Sequence, residues 1–546
     1  KYSYDFYIAG DVYNQTKIIQ YITFILMFLP PLALLTILFV FKMQIGSLKA
    51  TILSVVPAGL GALWTMGLIG YIGREVSILS AVVPIFVIVI GSADGLHFMS
   101  HIQDARKEGY GKLESITHTL KMVGIPMIVT TLTSMVGFLA LLSMNTESIV
   151  DLAVYASIGI LFAGIATWYV LPLILTGDVK GIQSKKRRPK FSLGESLKNL
   201  WDVPSIVIAV FLIVLAGIFV SRINNEFNML MVYKDYTVVN QNAEKIDEVV
   251  GGAIPLYVVI EPDEDITSIN SMNQVNQLAA KLALSEEVNK VVNPYVFIQI
   301  MFSQASLGQE LTTDESLTIF YNQSKLNPTS PSATMFSEED NKVRLLVFPA
   351  NMNNATLGNI EDIVDEDDNS YITGVQFLMK DLNEQISQMQ LYSILIALGA
   401  VLVMLIITIK SLKISVISLL PIILSILGVY AFLGISQISL NVTTTIIFSI
   451  TIGVGIDYAV HFSSVYKVFL DENMTKNQAV VKAYKYTSRP IIANALGISI
   501  GFTILMLSPL RIHFNVAVLM WVSMGVSVLM TLTLLPTLLG DMPKRR

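Results

Sequence analysis

Cysteine is absent from all 546 residues. That excludes disulfides, thiolate metal sites and cysteine nucleophiles, and leaves the compartment open. Charge is scarce too: 14% of residues are Asp, Glu, Lys or Arg, against roughly 25% in soluble domains. No phosphate-cradling glycine loop precedes a Lys-Ser/Thr pair, so ATP is not expected to drive the protein directly. No nucleophile–base set or metal-ligand spacing is apparent, and neither an enzyme, a bound cofactor nor a nucleic-acid partner is expected. The chain opens Lys1-Tyr2-Ser3-Tyr4, which is neither an initiator Met nor a signal peptide. It therefore reads as a fragment or as part of something longer.

What is present is apolar. Hydrophobic residues make up 53% of the chain, and the mean hydropathy is +0.63. Crossing ~30 Å of hydrocarbon takes roughly 20 apolar residues in a helix, which satisfies its own backbone there. Eleven runs meet that length: 18–41, 50–72, 76–102, 125–144, 148–176, 203–221, 388–409, 414–436, 439–465, 490–508 and 512–539. Any one of them could be a buried soluble helix, but eleven together point to a polytopic α-helical membrane protein.

Lys and Arg set the expected orientation. They cluster in Lys185-Lys186-Arg187-Arg188-Pro189-Lys190, in the closing Lys544-Arg545-Arg546, and in the short loops 42–49, 106–121, 410–413 and 467–489. The positive-inside rule puts these in the cytoplasm. The C-terminus is then cytoplasmic and the long segment 222–387 lies outside. That segment carries Glu261-Pro262-Asp263-Glu264-Asp265 and Asp365-Glu366-Asp367-Asp368, read as solvated surface rather than as a metal site because the spacing of a calcium loop is missing. It reads as a small α+β domain. Strands are expected at 254–261, 342–349 and 370–374. A helix is expected over 266–292, with Leu278, Leu282 and Leu284 on its apolar side, and another at 359–368.

A repeat organises the whole chain. Tyr7-Ile8-Ala9-Gly10 returns as Tyr371-Ile372-Thr373-Gly374, a separation of 364 (374 − 10). The same separation relates Ser47-Leu48-Lys49 to Ser411-Leu412-Lys413, Pro57 to Pro421, Gly91 to Gly455, His97-Phe98 to His461-Phe462, Pro126 to Pro490, Gly137 to Gly501 and Leu171-Pro172 to Leu535-Pro536. Chance would not hold one register across five helices. Two parallel five-helix blocks follow, related about an axis along the membrane normal. The expected divisions are 1–17 (the end of a first exterior domain), 18–178 (first bundle), 179–202 (cytoplasmic linker), 203–221 (first span of the second bundle), 222–387 (exterior domain), 388–540 (five further spans) and 541–546 (tail). The second block is preceded by a helix and an exterior domain that the first lacks, so twelve spans are inferred, of which eleven are present.

Two spans carry acids in mid-membrane, where an Asp costs ~2.5–3.5 kcal/mol on insertion scales. One holds Asp94 with His97 and His101; the other holds Asp457 with Tyr458 and His461. Such residues face the bundle interior and mark ion paths, or else form a polar pair that fixes packing. Asp457 and His461 stand four apart, and Asp94 and His97 three apart, so each pair shares a helix face. The acids are not equivalent. In the constant register Asp94 aligns with Tyr458, and Asp457 with Ala93, a rotation of roughly 100°. The Thr130-Thr131-Leu132-Thr133 cluster and its counterpart Asn494 could hydrogen-bond the acids or satisfy backbone within the bundle. His101, Arg74-Glu75, Arg511 and His513 are expected at the interfaces.

Gly453-Val454-Gly455-Ile456-Asp457-Tyr458-Ala459-Val460-His461-Phe462 is similar to the tenth-helix signature of predicted exporters of the resistance-nodulation-division (RND) superfamily and of the related MMPL (mycobacterial membrane protein large) lipid transporters. Gly91-Ser92-Ala93-Asp94-Gly95-Leu96-His97-Phe98 is similar to their fourth-helix signature. The resemblance covers the whole chain. It implies an RND-like plan with an exterior porter-like domain in a bacterial cytoplasmic (inner) membrane, and export of lipids or other hydrophobic or amphiphilic molecules driven by the proton gradient. It also implies a relay of Asp94 and Asp457 with Tyr458, His461 and His97, supported by Thr130 and Asn494. Sodium coupling is a variant. No mid-membrane Lys is present, so the Asp–Lys relay of the multidrug pumps does not carry over, and the exterior segment has no room for their docking domain. Membrane lipids are the implied partners, along with another copy of the chain or accessory proteins. Sterol-sensing-domain proteins share the helical plan, so a lipid sensor or scaffold is the alternative.

Overall fold

In the computed structural model the described residues are 6–144, 146–177, 181–182, 192–223, 232–252, 254–326 and 334–541. The basic cluster 185–190 and the closing residues 544–546 lie outside them. The chain divides into two compact units: Lys1–Lys17 with Glu226–Gln385, and Ile18–Asn225 with Ile386–Arg546.

The protein is a polytopic α-helical membrane protein. Among the described residues eleven helices are long and apolar enough to cross a membrane: α1 Asp11–Ile45, α2 Leu48–Ile72, α3 Val83–Lys107, α4 Lys112–Leu139, α5 Glu147–Ile165, α6 Val203–Phe219, α7 Val375–Ile409, α8 Leu412–Ser436, α9 Val442–Asp471, α10 Lys476–Phe502 and α11 Arg511–Leu539. α1 and α7 begin well before their apolar runs, at residues 11 and 375 rather than 18 and 388. Hydropathy marks where a helix meets hydrocarbon, not where hydrogen bonding begins.

The repeat is visible in the caps. Ser47 accepts a hydrogen bond from Ala50 N at the start of α2, and Ser411 from Ile414 N at the start of α8, the side-chain capping that satisfies a first-turn donor. Both helices end on a left-handed residue, Gly73 (φ 74) and Gln437 (φ 55), and only the glycine adopts that conformation without steric cost. α5 loosens into a π-turn at Ala166–Val170. Pro172, one turn further on, has no N–H for the ladder.

The smaller unit is a two-layer α+β fold. Strands β1 Leu256–Ile260, β2 Val288–Val292, β3 Phe336–Ser337, β4 Lys342–Pro349 and β5 Ser370–Thr373 form an antiparallel sheet in the order β2-β4-β1-β5, with β3 also paired to β4. Alternation does the sorting. Val343, Leu345 and Val347 of β4 and Leu256, Val258 and Ile260 of β1 turn to one face, where helices Ile269–Leu284, Pro294–Ala305, Asp314–Lys325 and Asn354–Asp365 supply the rest of the core. The helix expected over 266–292 stops at Leu284 because Ser285 turns extended (ψ 134). Beyond it Val288, Val291 and Val292 enter β2, as β-branched residues favour. Leu278 and Leu282 are buried as expected, but Leu284 is 85% exposed.

Candidate functional site: two aspartates on one turn of a helix

The site lies inside the larger unit. In the most apolar window of α3, and likewise of α9, 94% of residues are buried, more than in any other of the eleven spans. They are the central pair of the bundle. The signature glycines explain how the other helices reach them. A Cβ on Gly91 would meet Ala163 of α5 at 2.7 Å and Ala58 of α2 at 3.7 Å; one on Gly455 would meet Ile422 of α8 at 2.5 Å and Ser527 of α11 at 3.1 Å. Positions 58 and 422, and 163 and 527, are each 364 apart, so one packing contact is made twice. Gly95 presses on the Ser54 carbonyl, and Ser527 Oγ donates to Gly455 O at 2.9 Å.

The halves meet unequally. Gly137 of α4 faces Gly453 of α9 so closely that a Cβ on Gly137 would lie 2.6 Å from Gly453 Cα and 2.7 Å from Ser449 O, and Ser134 Oγ donates to Gly453 O at 3.1 Å. The repeat-related contact sets Gly501 of α10 against Val89 of α3, and the valine side chain fills the space that a second glycine leaves open. Backbone-to-backbone approach across the halves is thus special to α4 and α9.

That approach delivers the acids to one helix turn. Thr130 Oγ1 donates to Asp94 Oδ1 at 3.2 Å and Thr131 Oγ1 to Asp94 Oδ2 at 3.0 Å, while Thr133 Oγ1 reaches Asp457 Oδ1 at 3.2 Å. All three threonines are buried, as is Asp457. The one-residue displacement now has a geometric meaning. Position 457 faces across the interface to α4, and position 94, roughly 100° further round, faces the α4 of its own half. Displaced by one, both point at α4.

Each of those hydroxyls has a second acceptor in reach. Thr130 and Thr131 Oγ1 also lie 2.9 and 3.0 Å from Met127 O, and Thr133 Oγ1 lies 3.0 Å from Val129 O and 2.9 Å from Thr130 O. A hydroxyl has a single proton to give. Toward an ionised carboxylate it turns to the acid; when the acid is protonated it can return to the helix carbonyl and accept instead. The turn can therefore hold either protonation state with its polar atoms satisfied.

The histidines close one end of the site. His97 and His461, repeat equivalents, lie against each other with ring centroids 4.7 Å apart and planes tilted by 32°. One expected member stands elsewhere. The Tyr458 hydroxyl donates to Met524 Sδ of α11 at 3.3 Å and is fully buried there, because neighbours in a helix point ~100° apart. Asn494 is buried, but its Oδ1 has no hydrogen-bond partner among the described residues. Positions 495 and 497, equivalent to Thr131 and Thr133, are Ala and Gly, so α10 lacks those hydroxyls. His513, expected at an interface, is buried between Ser508 Oγ (2.8 Å from Nδ1) and Ile78 O (3.4 Å from Nε2). Ser134 was not singled out in the sequence. Its signal was present as small residues at 134 and 137 on one face of α4.

Comparison with known proteins agrees with this architecture. A protein of Methanocaldococcus jannaschii named as a putative membrane protein is 25% identical over 167 residues, 31% of this chain and 43% of the relative, so the match spans less than half of that protein's length. Residues 47–195, the block holding α2 to α5 and Asp94, match the model described as the sterol-sensing domain of SREBP cleavage-activation. Residues 235–546, more than half of the chain and including the Gly453–Phe462 signature, match the model of the MMPL family. With its duplicated bundle, its glycine-packed central helices and that match, the chain belongs to the MMPL family.

Proposed function

We propose that this protein moves lipids or other hydrophobic or amphiphilic molecules, energised by protons that load and leave the Asp94–Asp457 pair. The supporting observation is the convergence of both carboxylates on Thr130, Thr131 and Thr133 of α4. A pair that only fixed packing would be served as well by one acid and one donor. An acid from each half sharing donors that can reverse direction is suited to taking up and giving off a proton while the halves shift. The protein works as a carrier and not as an enzyme. By the distribution of Lys and Arg, the smaller unit lies outside the cytoplasm and the C-terminus inside it, in a cytoplasmic membrane of bacterial type. The oxygen-rich donor set is also compatible with sodium, which replaces the proton if flux follows sodium at a fixed proton gradient.

Flux of a fluorescent phospholipid out of intact cells, with matched expression, tests the reading. Asp94→Asn and Asp457→Asn each keep shape and hydrogen bonding but cannot release a proton, and each is expected to lower flux at least tenfold. Undiminished flux in both removes proton coupling. The match of 47–195 to a sterol-sensing model favours one second reading, a lipid sensor. That reading predicts lipid binding with no net movement in wild type.

A further inference from the structure

The small unit sorts its charges as well as its apolar residues. Strand register puts Tyr257 and Val259 of β1, Arg344, Leu346 and Phe348 of β4 and Tyr371 of β5 on the side of the sheet opposite the helix-covered core. None of the six is fully buried, and Tyr371 is 42% exposed. The five strands hold three cations, Lys290, Lys342 and Arg344, and no acid, although residues 254–374 contain 18 Asp or Glu against 5 Lys or Arg. All three cations fall on this same side. Lys342 is paired with Glu261 at 2.7 Å and lies over the Tyr371 ring. Arg344 is different. Its guanidinium lies over the Tyr257 ring, 5.0 Å from the centroid, and its Nη2 donates to Thr334 O at 2.9 Å. Among the described residues no carboxylate pairs with it, and its buried Nε has no hydrogen-bond partner. A guanidinium carries five N–H donors, so most of this one's capacity is not taken up by the protein. Beside it the surface turns apolar. Val259 stands opposite Arg344 in register, and Leu346 and Phe348 follow along β4, a strip of about 13 Å at the strand rise. Gly252 comes against Phe348 and ends the strip.

We propose that this open face of the sheet binds the cargo and selects amphiphiles with an anionic headgroup, the head held by Arg344 and the chain laid along Val259, Leu346 and Phe348. The inference rests on the transport reading above and narrows its substrate class to lipid acids. Charge complementarity carries it. A planar guanidinium matches a carboxylate or phosphate better than any other side chain does, and the Tyr257 ring beneath it keeps the fork in place by a cation–π contact. A neutral or cationic headgroup would leave Arg344 without a counter-charge. A small anion with no chain would leave the apolar strip in water, and burial of such a strip is what favours an amphiphile over a free ion. The acids of the unit, kept off the strands, repel the same headgroup from the rest of its surface.

Photolabelling tests the face directly. The full-length protein, in phosphatidylcholine nanodiscs, is irradiated with a diazirine-bearing fatty acid or with its methyl ester, and the labelled peptides are identified by mass spectrometry. The acid is expected to label the strands Leu256–Ile260 and Lys342–Pro349 at least tenfold more than the ester. Arg344→Gln is expected to abolish that preference, Arg344→Lys to keep part of it, and Lys281→Gln, on the helix side and paired with Glu366, to leave it unchanged. Equal labelling by acid and ester in the wild type overturns the proposal without recourse to any variant, as does an unchanged preference in Arg344→Gln. Labelling that excess inorganic phosphate displaces completely overturns the part assigned to the chain. The two readings fail separately. Selective labelling in wild type and in Asp94→Asn, with flux undiminished in Asp94→Asn, keeps the anion site and removes proton coupling. Flux that requires Asp94, with no selectivity in labelling, keeps the coupling and removes this site.

Discussion

At the scale of single residues, the hydroxyls of α4 connect sequence to chemistry. A hydrogen bond to a charged group is worth about 1.5–3 kcal/mol, and Thr131 gives Asp94 one of its two side-chain donors. Thr131→Val keeps the shape and removes the proton donor. We expect proton-driven flux to fall roughly tenfold, by the energy of one such bond, while Thr131→Ser retains most of it. Equal losses in both would show that the methyl group, not the hydroxyl, matters. The acids themselves were legible in the sequence because a charge in mid-span is costly and therefore conspicuous. Their partners were less so. The family resemblance implied Tyr458, but a helix turns an adjacent side chain toward a different neighbour, here Met524 of α11. The repeat suggested Asn494 as the counterpart of Thr130, but equivalence in register does not survive Ala495 and Gly497 replacing Thr131 and Thr133.

At the scale of elements, the contact between α4 and α9 holds the site together. A methyl on Gly137 would press into the Gly453 backbone and the Ser449 carbonyl, atoms that cannot rotate away as a side-chain end can. Gly137→Ala should therefore push the helices apart, with an overpacking cost of about 1–3 kcal/mol. A lower midpoint of thermal unfolding in detergent and a loss of flux should accompany it. Gly67→Ala on α2, where no atom lies within 4 Å of an added Cβ, should change neither. The small unit offers a separate test. Asp265 sits before helix Ile269–Leu284 and accepts from Thr267 N at 2.8 Å and from its hydroxyl. These hydrogen bonds hold its carboxyl below the usual range. A depressed native value adds stability that is fully present above the unfolded Asp value, near ~3.9, and is lost as the pH falls through the lower native one. A fragment spanning 232–374 should unfold more readily in acid, and Asp265→Asn should flatten that part of its pH–stability curve. The strands of this unit were legible where alternation was long, as in Lys342–Pro349. β2 was hidden because Val288–Val292 continues the apolar spacing of the preceding helix, and Ser285 alone marks the break.

At the scale of the whole molecule, the number of spans and their duplication could be read from hydropathy and one fixed register, because both are properties of long stretches. The unequal closeness of the two inter-half contacts could not, since it depends on which glycine finds another glycine opposite. The small unit should fold alone, given its own core of Leu256, Val258, Leu345, Val347, Leu357 and Ile360. Leu345→Ala, at a fully buried position, should cost it about 2–5 kcal/mol, read by chemical denaturation of the same fragment. The α4–α9 contact also limits what this duplication can return to. Two copies of the first half would bring Val89, not Gly453, against Gly137. Two copies of the second would meet glycine to glycine but present Asn494, Ala495 and Gly497 where the threonines stand. Neither half is interchangeable with the other, and a homodimer of either could not rebuild the aspartate–threonine site, so each half needs the other as its partner.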